Sequence, residues 1–260
     1  MAKPTLVLLP GMDGTGDLFA PFVNAVENRF LVQVVRYPTD RVLDYEGLFS
    51  LVRSGLPTDT PYFILGESFS GPIAISLAAE APSNLRGLIL CCTFARNPHP
   101  ALARFSRLLP LVPFRRIPSA LLCSVLLGPF RTAALSAAVN HAVGRVTSAV
   151  LQARIRSVLL ADVSAKLALV KVPCLYLQAS KDRLVPDSAG LHIKHLLPSA
   201  SVVRIESPHC LLQAVPVEAT SVVSSFIREV QATFEAVTSS IELTRDHGVK
   251  SGEASRSNCS

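Results

Sequence analysis

The stretch Tyr62-Phe63-Ile64-Leu65-Gly66-Glu67-Ser68-Phe69-Ser70-Gly71 decides how the whole chain reads. Four apolar or aromatic residues run into a glycine, and Gly71 opens the alanine-rich run 73–81. A buried strand that bends sharply into a helix, leaving one serine at the bend, is written this way. The pattern is G-x-S-x-G with Ser70 in place of the last glycine. Two serines therefore compete. With Ser68 at the bend, glycine stands two before it and a small residue two after it. With Ser70 there, those places fall to Ser68 and Pro72. Proline fits the first turn of a helix on either reading, but only Ser68 has glycine where the strand must bend. Ser68 is the candidate nucleophile. Alone, the stretch is equally compatible with an ordinary strand-turn-helix junction capped by serine.

On both sides of this stretch, apolar runs alternate with helical spacing. Thr5–Leu9 is a continuous apolar run and ends in Pro10-Gly11-Met12-Asp13-Gly14-Thr15-Gly16. Phe19, Phe22, Val23 and Val26 are spaced as on a helix, 30–35 reads as a second strand, and Tyr45 to Leu56 as a second helix closed by Pro57. Further strands are expected at 85–94, 172–179 and 201–205, with helices at 187–197 and from about 216 to 234. About six strands separated by helices predict an α/β fold, an open and mostly parallel sheet with helices on both faces. The domain reading is one core, residues 1–95 and 172–242, interrupted by a helical insertion at 96–171. In the insertion the longest helical stretch, Thr132 to Leu160, divides near Gly144. Residues 243–260 are polar and are expected to form a disordered tail.

With 260 residues and 49% hydrophobic content, the chain can bury one large core. The most apolar run, 120–130, is too short for a membrane span. The residues 1–4 lack the build of a secretory signal, and six cysteines show neither metal-ligand spacing nor a disulfide framework. A cytoplasmic protein with buried thiols is the expectation. The net charge of +6 is unevenly spread. The insertion holds eleven Lys/Arg against the single acid Asp162, a net +10, while the remainder carries −4.

An acyl-transfer serine needs a base, a carboxylate to orient that base, and N–H donors for the oxyanion. After the expected strand at 172–179 comes Ser180-Lys181-Asp182-Arg183, and after the strand at 201–205 comes Glu206-Ser207-Pro208-His209. The order Ser68, Asp182, His209 is that of the α/β-hydrolase triad, each at the carboxyl end of a strand. Separately, Asp182 reads as a loop carboxylate paired with Lys181 or Arg183, and His209 as a surface histidine. Asp187 is a rival acid but reads as the cap of the helix after Pro186, and His99, His141, His192 and His195 do not occupy the third triad position. Together, the three signals point to a Ser68–His209–Asp182 triad.

These motifs resemble the α/β-hydrolase-fold esterases and lipases. The likeness covers nearly the whole chain: the elbow 66–71, the loop Leu9-Pro-Gly-Met-Asp-Gly14, the stretch Asp162-Val-Ser-Ala-Lys-Leu167, the acid loop 181–186 and the histidine loop. The first loop reads Pro10-Gly11 where the family usually has His-Gly, which resembles the Pro-Gly-x-Asp-Gly branch of esterases, thioesterase-like proteins and plastid acyltransferase-like proteins. The resemblance implies oxyanion donors at the backbone N–H groups of Met12 and Phe69. It also implies that the insertion caps the acyl pocket. The family's two leading antiparallel strands have no counterpart ahead of residue 5, so a trimmed sheet is expected. The loop lacks the frames of a nucleotide cradle, and no cofactor or metal is expected. Glu67, beside the nucleophile, receives no chemical role, since its charge would oppose an oxyanion.

The apolar and basic insertion suits a small ester with an apolar acyl or aromatic group, its arginines facing outward. The charge reads as a solvated face, as recognition of an anionic substrate or carrier, or as contact with an acidic membrane surface. Nucleic acid is not expected, because the basic text lacks interleaved aromatics. Oligomeric state is left open. The leading expectation is a carboxylesterase for short- to medium-chain esters. The alternatives are a thioesterase or acyltransferase using the same triad, and a non-catalytic ligand-binding protein on the same fold.

Overall fold

The structure, a computed structural model, describes residues 3–103 and 118–253, with 237–253 as backbone only. In chain order it contains β1 (Thr5–Leu9), α1 (Ala20–Val26), β2 (Leu31–Val34), α2 (Tyr45–Ser54), β3 (Tyr62–Glu67), α3 (Gly71–Ala79) and β4 (Leu85–Cys91). Four helices then follow without a strand: α4 (Ser119–Leu127), α5 (Ala133–Gly144), α6 (Ser148–Leu160) and α7 (Ser164–Leu167). The chain closes with β5 (Cys174–Ala179), α8 (Asp187–Leu196), β6 (Ser201–Ile205), α9 (Leu211–Ala214) and α10 (Pro216–Glu253).

The strands run β2-β1-β3-β4-β5-β6 across one sheet, and every pairing is parallel. This is the open α/β arrangement expected, with no antiparallel strand among the described residues. Continuous apolar runs are required because both faces of each central strand are covered. Val7 and Leu9 of β1 pack with Ile64, Leu88, α2 and α3 on one face. Leu6 and Leu8 pack with Phe63, Ile89, α1 and α10 on the other. The order reverses at β1: one chain direction leads to β2 and the other to β3. The loops after β1 and β3 therefore open side by side at the carboxyl edge, where open α/β sheets place ligands.

Between β4 and β5 the insertion stands on a short stem. Arg96 and Asp162 form an antiparallel bridge, Asn97 N–H donates to the Ala161 carbonyl (2.8 Å) and Val163 N–H to the Ala95 carbonyl (2.7 Å). The long helical stretch divides where Thr147 caps α6 by accepting from Val150 N–H, three residues beyond Gly144. Residues 108–114 of the apolar text, with Arg115 and Arg116, lie outside the described residues.

Two expected boundaries move. β4 stops at Cys91 because Cys92 takes a left-handed backbone (φ 47°). α10 was expected to end near Phe234, and its backbone continues as helix to Glu253; residues 254–260 of the expected tail 243–260 lie outside the described residues. A polar text does not break a helix, and its two glycines, Gly248 and Gly252, cost only about 1 kcal/mol each. Among the described residues no helix is long and apolar enough to cross a membrane.

Gly66 shows how closely helix and strand approach at the bend. A Cβ there would lie 2.7 Å from Ala74 Cβ and 3.0 Å from the Ser70 carbonyl oxygen. Gly66→Ala is expected to push α3 off β3 and to cost about 1–3 kcal/mol in urea unfolding. A variant as stable as the parent would show that the contact is not tight.

Candidate active site

Ser68 opens a 3-10 turn between β3 and α3 and has φ 49°, a left-handed conformation rare for a residue with a side chain. Two donors hold it there. The Ser68 carbonyl accepts from Gly71 N–H and from the Thr93 hydroxyl, which follows β4. The contact explains Gly71: a Cβ would meet Thr93 Oγ1 at 2.0 Å. A trans peptide sets its N–H opposite its C=O, so anchoring the Ser68 carbonyl also aims the Phe69 N–H. In the first turn that N–H has no intrahelical acceptor. Tyr45 stacks on the Phe69 ring at 4.8 Å and donates its hydroxyl proton to the Phe69 carbonyl (2.9 Å).

The structure brings Ser68, His209 and Asp182 together. Ser68 Oγ lies 2.8 Å from His209 Nε2, and His209 Nδ1 lies 2.8 Å from Asp182 Oδ2. The loops after β5 and β6 are tied by Ser180 N–H to the Ile205 carbonyl (2.8 Å) and Lys181 N–H to the Ser207 carbonyl (3.0 Å). The other Asp182 oxygen accepts from Leu184 and Val185 N–H at 2.8 and 2.9 Å, so the carboxylate is fixed from both sides. The His209 and Asp182 side chains are only 5% and 4% exposed. Burial pulls the His209 pKa down, but the charge and hydrogen bond of Asp182, with the charge of Glu67, outweigh it and leave it raised. With Nδ1–H given to Asp182, Nε2 is free to take the Ser68 proton. The rival acid Asp187 is elsewhere: it accepts from Gln178 (2.7 Å), pairs with Arg204 (3.1 Å), and is the first residue of α8, not its cap.

Met12 lies in a turn closed by Gly14 N–H donating to the Gly11 carbonyl (3.0 Å). The Gly11–Met12 peptide therefore turns its N–H outward, and that N–H has no partner among the described residues. Ser70 is fully buried; its hydroxyl bonds the Pro10 carbonyl and meets the Tyr37 hydroxyl at 2.7 Å. It is a strut under the loop after β1, a role the sequence offered only as a tolerated small residue. The expectation of outward arginines fails at Arg154. This α6 residue is 1% exposed, because its guanidinium finds the Met12, Asp13 and Pro38 carbonyls at 2.7, 2.9 and 2.8 Å. No signal in the sequence separates it from the other basic residues of the insertion.

Glu67 has a place the sequence did not suggest. It is buried, accepts from Gln213 Nε2 (3.0 Å), and shares the surroundings of Gly11 with the Asp13 carboxylate. Burial, partly offset by Gln213, together with the charge of Asp13 pushes its carboxyl up to about 7. Below that pH it holds a proton and places no negative charge beside the serine. A cavity of about 320 Å³ lined by Arg53, Tyr62, Glu80 and Asn84 lies at the opposite, amino edge of the sheet and takes no part in this site.

The family model described as serine aminopeptidase, S33 matches residues 34–211. A stretch of 116 residues, 42% of the chain, is 35% identical to phytyl ester synthase 1, chloroplastic, of Arabidopsis thaliana, and spans 16% of that protein's length. Among solved structures, a lipase-esterase related protein from Clostridium acetobutylicum superposes with a TM-score of 0.73 at 14% identity, covering 86% of this chain and 95% of that one. A hydrolase from Oleispira antarctica superposes with a TM-score of 0.74 at 17% identity, covering 88% and 92%. At those identities the likeness is one of fold.

Two outcomes are expected. Ser70→Ala leaves the Pro10 carbonyl and Tyr37 hydroxyl without their shared partner and costs about 1–3 kcal/mol in unfolding, while Ser68 stays reactive to a phosphonate probe. For Glu67 the folded-state pKa lies above the ordinary 4.5, so its contribution to stability is complete below that value and drains away as pH rises to about 7. Glu67→Gln, uncharged at every pH, is expected to gain stability over the parent across that window, measured by denaturation at a series of pH values. A difference that does not change with pH would place the proton elsewhere.

Proposed function

The chain belongs to the serine aminopeptidase S33 family of α/β hydrolases, and we propose that it is a serine carboxylic-ester hydrolase for short- to medium-chain esters with an apolar acyl or aromatic group. The observation that carries this reading is the unbroken chain Ser68 Oγ–His209 Nε2 and His209 Nδ1–Asp182 Oδ2, both links 2.8 Å, on a serine held in a left-handed bend.

Ser68 Oγ attacks the ester carbonyl carbon as its proton passes to His209 Nε2. The carbonyl π electrons move to oxygen, and that oxyanion is received by the N–H groups of Met12 and Phe69. Asp182 holds the imidazole in its tautomer and stabilises it when charged. His209 then gives its proton to the departing alkoxide oxygen as the C–O bond breaks, leaving the acyl group on Ser68. Water, deprotonated by His209, attacks the acyl carbon, and Ser68 recovers its proton as the acid leaves. Every step uses the chain's own residues and water. Because neutral His209 is the base, activity is expected to rise as pH passes its raised pKa.

A second reading replaces water by an acceptor alcohol, or the ester by a thioester. It is supported by the 116-residue likeness to a protein named as a phytyl ester synthase. An acceptor alcohol changes how the acyl-enzyme is resolved, and a thioester changes the group that leaves as it forms.

On p-nitrophenyl butyrate, Ser68→Ala is expected to lose roughly 10⁴–10⁶ in kcat, and Asp182→Asn to lose about 10⁴. Unchanged turnover in Ser68→Ala would eliminate the mechanism. A profile over acyl chain length, run with and without an added long-chain alcohol and an acyl thioester competitor, separates the readings. Ester product formed in preference to free acid would favour transfer.

A further inference from the structure

We propose that Arg154 is a positioning residue for the oxyanion loop, through which the docked insertion sets the direction of the Met12 N–H; this rests on the Ser68 hydrolase reading. The residue enters the core from α6, 142 positions along the chain from Met12. One guanidinium nitrogen donates to the Met12 and Asp13 carbonyls, and the other terminal nitrogen to the Pro38 carbonyl. Those three acceptors belong to the loop after β1 and the segment after β2. Among the described residues no carboxylate is bonded to it, although Asp13 lies close enough to favour its charge against the cost of burial.

The geometry fixes Met12 from both sides. Its upstream peptide, which carries the N–H, is pinned by Gly14 N–H on the Gly11 carbonyl; its downstream peptide is pinned by Arg154 on the Met12 carbonyl. With both planes held, the two soft dihedrals of Met12 have no freedom left and the N–H points one way. The guanidinium also lies 5.7 Å from the Tyr37 ring centroid and 6.0 Å from that of Phe69, so the neighbourhoods of both donors lean on one side chain. The loop is shaped to admit it. Gly14 has φ 69°, and a Cβ there would stand 2.6 Å from one guanidinium nitrogen and 2.8 Å from the other. A lysine carries its three donors on one nitrogen and cannot span the fork, which reaches the Met12 and Asp13 carbonyls from one nitrogen and the Pro38 carbonyl from another.

The insertion is held near the same loop by other contacts that do not touch Met12. Arg145 pairs with Asp17 at 2.5 Å, and Thr147 N–H donates to the Thr39 carbonyl at 2.9 Å. Removing Arg154 is therefore a test of loop geometry in an insertion still anchored elsewhere.

The experiment compares the parent enzyme, Arg154→Lys and Arg154→Ala for kcat and KM on p-nitrophenyl butyrate, thermal unfolding, and the fraction of Ser68 labelled by a phosphonate at saturation. The expected result is a fall of about 10–100-fold in kcat in both variants, with KM changed less than about threefold and Ser68 still fully labelled at long times. Millimolar methylguanidinium is expected to restore part of the kcat of Arg154→Ala, and methylammonium is not. A folded variant of either kind with kcat within about twofold of the parent overturns the proposal. So does a fall matched by an equal fall in the labelled fraction, which marks a fold defect alone. Where Arg154→Ala does not fold, Arg154→Lys decides by the same criteria. A parent enzyme whose Ser68 is not labelled at all sinks the hydrolase reading and this proposal with it, an outcome distinct from a labelled parent with indifferent Arg154 variants.

Discussion

A residue with a side chain stays at φ 49° only where its surroundings over-determine it, and at Ser68 the surroundings are two donors on one carbonyl oxygen. Gly71 N–H supplies the local donor and the Thr93 hydroxyl supplies the distant one, from the end of the neighbouring strand β4. The left-handed turn costs of order 1–2 kcal/mol. In return, it projects Oγ away from the strand and aims the next N–H. Glycine at 71 follows from this, since any side chain would collide with Thr93. Glycine at 66 follows from the sharpness of the bend. The parallel pairing of β3 with β4 brings Thr93 within reach, so the bend is stable only inside the assembled sheet.

The charges around the serine are balanced by burial as much as by pairing. Arg154 brings a positive charge into the core and Asp13 sits near it as a carboxylate, bonded to the Thr15 N–H and hydroxyl. Glu67 would add a second negative charge, but burial and Asp13 raise its pKa to about 7 and keep it protonated through the acidic range. Its protonation removes the repulsion between Glu67 and an oxyanion below about pH 7, and the repulsion returns as Glu67 ionises above it. His209 experiences the opposite balance: Asp182 and Glu67 favour its charged form by more than burial disfavours it.

The site also depends on a segment that is not part of the sheet. α6 supplies Arg154, and α4 offers its Leu126 carbonyl to Cys210 N–H, next to His209, at 3.1 Å. The insertion therefore grips both the loop of the expected oxyanion donor and the loop of the base. In its described part, the segment expected from the resemblance to cap an acyl pocket is scaffolding for these two loops.

What the sequence determined by itself was whatever depends on local grammar. Unbroken runs such as Leu6–Leu9 and Phe63–Leu65 mark strands covered on both faces, glycine at 66 marks the bend, and the order Ser68, Asp182, His209 follows strand ends. All of these are legible because a parallel sheet places every strand's carboxyl end on one edge. Only the tertiary structure decided the rest. Ser70 as a strut, Thr93 as an anchor, and the buried Glu67 and Arg154 each act through partners 25 to 146 positions away. Their residue types carry no periodic signal, and an arginine that satisfies three carbonyl groups in the core is spelled like an arginine facing water. The fold brings those partners within hydrogen-bonding reach, and that proximity alone gives such residues their roles.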